Sequence, residues 1–86
     1  MKRDQILAWL DTRRPAPPRA LRERLRAAVR DAPEGLVAHL ARTGGELLDG
    51  VVARPAGGRE LALDLLAADA FATYAFEAQA EETHET

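Results

Sequence analysis

The chain contains no cysteine, no serine and no asparagine, and its one lysine is Lys2. Without cysteine there is neither a disulfide nor a thiolate zinc site. Without serine or cysteine, no Ser-His-Asp or Cys-His nucleophile can be assembled within one subunit. A lysine beside the first residue offers no candidate for a Schiff base or a phosphate-loop lysine. Gly44-Gly45 and Gly57-Gly58 lack the strand, spacing and lysine of a P-loop or dinucleotide fingerprint. Turns and helix caps account for such pairs. Aromatic residues are also scarce. Only Trp9, Phe71, Tyr74 and Phe76 add large apolar side chains to a composition in which alanine supplies much of the hydrophobic share.

Long apolar runs are missing too. Nothing approaches the roughly 20 residues of a membrane span, because Asp64, Asp69 and Glu77 interrupt the most apolar stretch. The apolar run Ile6 to Leu10 is too short for a signal-peptide core. These absences predict a soluble, cytoplasmic protein.

What remains is one domain over residues 1–86, expected to be ordered from about residue 4 to residue 82, with a short acidic tail, 83–86, that frays. A chain of this size buries only about 60% of its unfolded surface. Burial and chain entropy then nearly cancel, and oligomerisation is the remaining route to extra stability. The net charge of −2 conceals an asymmetry: residues 1–30 hold nine Lys/Arg against three Asp/Glu, and residues 31–86 hold three against eleven. The basic part is suited to dock on the acidic part, or to meet an anionic partner.

Hydrophobic spacing predicts four helices and an all-α fold. The first runs from about 4 to 13, with Asp4 as N-cap, and is broken by Arg13-Arg14-Pro15-Ala16-Pro17-Pro18, a stiff extended connector. The second starts at Pro18 or Arg19. It sets Leu21, Leu25, Ala28 and Val29 on one face and Arg19, Arg22, Arg26 and Arg30 on another, and it stops at Pro33 and Gly35. From 35 to 53, Leu36, Leu40, Leu47, Leu48 and Val51 keep phase across Gly44-Gly45, which favours a single helix whose glycines admit a close neighbour. After the break at Arg54-Pro55-Ala56-Gly57-Gly58, a last helix runs from Arg59 to about Glu82 with apolar residues in every direction. A helix that is apolar all round is expected to be mostly buried, with the other three packed around it and any uncovered face on a second copy.

Few side chains suggest chemistry. His39 stands alone within a predicted helix, as a surface or boundary histidine. Asp69, Thr73 and Glu77, at i, i+4 and i+8, form a polar stripe that suits an ion-pair seam with the arginines of the second helix. Across a twofold axis the same stripe could surround a divalent metal, although no Glu-x-x-His pair lies inside a predicted helix. Glu60 and Asp64 suit the positive end of the last helix. The arginine face could follow a phosphate backbone, but it lacks interleaved aromatics and base-reading amides. The segment from Leu65 to Glu77, with Asp69, Ala75, Phe76 and Glu77, is similar to a helix of polyprenyl synthases with the pattern G-D-x-L-x-x-x-A-F-E. That resemblance covers about a dozen residues. The D-D-x-x-D motif by which that family holds magnesium and diphosphate is missing, so no function or site residue follows from it.

The resulting expectation is a non-catalytic interaction or assembly module without a cofactor, self-associating through its C-terminal helix or binding a protein partner, with no membrane. The contact candidates are Trp9, Leu63, Leu66, Phe71, Tyr74 and Phe76. The charge-pair candidates are Arg19, Arg22, Arg26 and Arg30 with Asp69 and Glu77. The alternatives are a nucleic-acid module using the arginine face and a metal-binding bundle using Asp69 and Glu77.

Overall fold

The computed structural model describes residues 1–54 and 57–84. Pro55 and Ala56, in the expected break, and Glu85 and Thr86, in the expected frayed tail, lie outside the described residues. The fold is all-α, with α1 Arg3–Leu10, α2 Arg19–Ala28, α3 Leu36–Ala53 and α4 Arg59–His84. The last helix, 26 residues and about 39 Å long at 1.5 Å per residue, sets the 45 Å long axis of the molecule. Helix α3 is its principal neighbour, and α2 touches it less extensively.

Four boundaries differ from expectation. Helix α2 closes at Ala28, not at Pro33, because Val29 turns extended, and this leaves Arg30 outside the helix. Helix α1 begins one residue early, with Lys2 at the cap and Asp4 in the first turn. Gln5 Oε1 accepts the Lys2 amide at 2.9 Å, and Asp4 instead places negative charge at the positive helix end. The same helix closes at Leu10, where the Thr12 amide and hydroxyl both turn back to the Trp9 carbonyl. Helix α4 continues through His84, with the Thr83 hydroxyl donating to the Gln79 carbonyl.

After α2, Val29 turns extended and Ala32 returns beside the chain start. The Met1 amino group donates to the Ala32 carbonyl at 2.6 Å, and the Ala32 amide donates to the Met1 carbonyl at 2.9 Å. Arg3 adds bonds to the carbonyls of Val29 and Arg26. These contacts hold Ile6 and Val29, both fully buried, against the common core with Leu40 and Phe71.

Gly44 is where α3 and α4 meet most closely. A Cβ placed there would stand 3.0 Å from Phe71 Cβ and 3.2 Å from the Ala68 carbonyl oxygen. Gly45, one position on, faces open space. Helix α3 is thus continuous through both glycines, and only the first serves close approach.

The burial of α4 is one-sided, and the uncovered face that the sequence allowed for lies opposite the N-terminal layer. Asp64, Ala67, Ala68, Phe71, Ala75 and Ala78 are buried at three- and four-residue intervals, whereas Leu65, Leu66 and Phe76 are exposed. The cause is layering: α3 covers one face, α1 and α2 lie to one side of the α3–α4 pair, and the other side has no covering element among the described residues.

Two substitutions should separate the glycines in urea denaturation. Gly45→Ala gains about 0.5–1 kcal/mol from helix propensity. Gly44→Val loses about 1–3 kcal/mol, because the backbone of α4 must retreat. Equal effects at the two positions would contradict the close approach.

Candidate functional site

The charged residues that the sequence singles out are brought together differently from the expected seam. Arg22 and Arg26 both turn to Oδ1 of Asp11, at 3.4 and 2.9 Å, and Arg19 pairs along its own helix with Glu23. Glu77 instead meets Arg13 at 3.0 Å, and Glu81 meets it at 3.1 Å. Arg13 also stacks over Trp9, 3.9 Å from the ring centroid, while Trp9 Nε1 donates to Glu81 and its ring meets Tyr74 edge-on. Asp69 is exposed and forms no ion pair among the described residues. The arginine face of α2 and the Asp69–Glu77 stripe are therefore not in register. The connector after α1 carries the cation that reaches Glu77 and Glu81 of α4.

Trp9, Tyr74 and Leu63 are consequently half-buried within the subunit, and Phe71 is core. Of the six contact candidates only Leu66 and Phe76 are open to solvent. Arg30 uses its backbone amide, which donates to His39 Nε2 at 3.4 Å. His39 is buried rather than a boundary residue, and its Nδ1 donates to Glu34 Oε1 at 3.1 Å, an oxygen shared with Arg42. Partial burial pushes the Glu34 carboxyl up, but the His39 hydrogen bond and the Arg42 charge outweigh it and hold the group below its usual value.

Asp64, read from the sequence only as a charge suited to the positive end of the last helix, is instead a buried ion-pair centre. Its place three residues before Ala67 and seven before Phe71 puts it on the buried stripe of α4, a phase readable from the sequence once Phe71 is taken as core. Arg24 Nε reaches one carboxylate oxygen and Arg54 Nη2 the other, each at 2.5 Å, so α2 and the end of α3 are tied to α4 through one carboxylate. No three His, Cys, Asp or Glu side chains converge to hold a metal ion among the described residues.

The uncovered side of the α3–α4 pair is apolar. With Gly44 and Phe71 fixing where the helices face each other, Thr43 and His39 on α3 and Ala70 and Glu77 on α4 turn toward the N-terminal layer. Ala41, Gly45, Leu48 and Val52 of α3 turn the opposite way, together with Leu65, Ala72 and Phe76 of α4. All seven are exposed: Leu48 by 45%, Leu65 by 49%, and Val52 and Phe76 by 78% each. None is charged, and Asp49 and Asp69 stand at the rims. Small residues line the middle and bulky ones the ends.

No protein-family model matches this chain, and no curated protein or solved structure shows significant similarity to it. No described helix is long and apolar enough to cross a membrane.

The buried carboxylate yields a pH prediction. Hydrogen bonds from Arg24 and then Arg54 hold Asp64 below its ordinary 3.8, against the upward push of burial. A carboxyl depressed by folding stabilises the protein above its unfolded value and loses that contribution as the pH falls through the folded one. Asp64→Asn should cost about 1.5–3 kcal/mol at neutral pH. In urea titrations its deficit should shrink between about pH 5 and pH 2. A deficit constant over that range would remove the ionised carboxylate from the account.

Proposed function

We propose that this chain is a non-catalytic assembly module that pairs with a second copy of itself through the open side of α3 and α4. The observation that carries this reading is the uncharged apolar face of Leu48, Val52, Leu65 and Phe76, set around the small residues Ala41, Gly45 and Ala72. Contiguous apolar exposure of this kind marks association surfaces.

The arrangement suits twofold symmetry. An axis through the waist near Gly45 and Ala72 sets Phe76 of each copy against Leu48 and Leu65 of the other, and the waist lets helices approach to about 8–10 Å. No like charges are forced together in the centre. The nucleic-acid alternative is weaker on this geometry, since Arg19, Arg22 and Arg26 converge with Asp11 and Glu23 on one local cleft and form no open basic track along α2. A metal held by Asp69 and Glu77 is weaker too, because Glu77 is engaged by Arg13.

Light scattering after size exclusion should give twice the 9.4 kDa chain mass. Phe76→Glu or Leu65→Glu should return the chain mass with an unchanged monomer helix content, while Leu66→Glu, on the far edge of α4, should leave the dimer intact. A monomer at about 1 mM, corresponding to less than about 4 kcal/mol of association, or a dimer indifferent to Phe76→Glu, would overturn the reading.

A further inference from the structure

A cleft of about 920 Å³ opens between the end of α1, the connector of residues 11–18 and α2. Its size falls in the range of small-molecule sites. Arg13, Arg14, Arg19, Arg22 and Arg26 line it, against the two carboxylates of Asp11 and Glu23. The cationic excess is unevenly used. Arg13 is taken by Glu77 and Glu81, and Arg19 by Glu23 in an exposed pair that contributes little. Arg22 and Arg26 compete for a single oxygen of Asp11. Arg14 Nη1 turns to the backbone carbonyls of Asp11 and Arg13 and meets no carboxylate among the described residues.

Two further features favour an anion in the same place. Helix α2 starts at the cleft with Pro18 at its cap, no capping side chain and no acidic residue in its first turn, so its amide end adds to the positive field. Tyr74 also lines the cleft, and its hydroxyl has no hydrogen-bond partner among the described residues. Burial, with the Glu77 charge, pushes that phenol above its usual 10.0 and keeps it a donor. Leu10 and Leu25 supply an apolar floor.

We propose that this cleft binds a phosphomonoester, with the dianionic head on Arg14, Arg22 and Arg26 and the organic part over Leu10, Leu25 and Tyr74. Planar guanidinium groups suit phosphate oxygens through paired, charge-assisted hydrogen bonds. A dianion matches a site with more than one surplus cation better than a monoanion does. This proposal is independent of the dimer, whose face lies on the other side of the α3–α4 pair.

Phenyl phosphate is the probe, titrated by calorimetry and followed by the arginine Nε–H resonances. Saturable binding is expected, weakened by salt, with inorganic phosphate and benzoate each binding more weakly than the probe. Arg14→Gln and Arg22→Gln should each weaken it roughly tenfold, the loss of about one charge-assisted bond. Arg30→Gln, beyond the end of α2 and beside His39, lies outside the cleft and should leave binding unchanged. All three positions are exposed or bonded only to a shared partner, and unchanged thermal unfolding identifies the variants that report on the cleft. No saturable binding at about 10 mM, equal affinity for inorganic phosphate, or equal loss in Arg30→Gln would overturn the proposal.

Discussion

The close approach of α3 to α4 at Gly44 is the constraint on which the rest of the structure depends. With Phe71 Cβ and the Ala68 carbonyl pressed against that glycine, the rotation of each helix about its axis is set. That rotation selects the stripe of α4 that is buried. It sends His39 and Thr43 toward α2, and Leu48 and Val52 away from it. Alanine at 67, 68, 75 and 78 serves the same geometry, because small side chains let two backbones run close over many turns. The scarcity of large apolar residues is thus matched to a thin, close-packed seam rather than a wide core.

The N-terminal third is fastened to this seam by buried apolar side chains and by a few long-range polar contacts. Ile6, Leu7, Leu10, Leu25, Val29 and Ala32 are buried in the common core. Arg24 reaches Asp64 and Arg13 reaches Glu77 and Glu81, while two backbone hydrogen bonds between Met1 and Ala32 close the N-terminal layer on itself. The charge asymmetry between residues 1–30 and the remainder is therefore partly satisfied inside the subunit. What is left over gathers along α2 and its preceding connector.

The four helices were legible because proline and glycine mark every break and the apolar period is 3.6 between them. The continuity of α3 was legible from phase alone. The pairing of charges was not. Arginine side chains are long, and which carboxylate each one reaches depends on helix rotation, which no single helix encodes. Trp9 and Tyr74 read as surface aromatics for the same reason, yet each finds the other across the fold. Helix α4 misled in a different way. Its apolar residues point in all directions, and composition cannot say which direction the chain itself will cover. Asp64 lay on the buried stripe, but recognising it requires knowing that Phe71 marks the centre of that stripe.

The layered arrangement also separates contacts by the length of chain they must close. Helices α3 and α4 meet across residues 54–58, so their seam requires little loop-closure entropy. The bond from Trp9 to Glu81 joins residues 72 positions apart and encloses nearly the whole chain. Closure cost favours the helical hairpin as the first compact unit, with the N-terminal layer docking afterwards. At that stage the hairpin offers two apolar sides to its surroundings. One is later covered by the chain's own first 30 residues; the other is already in its final form before the subunit is complete.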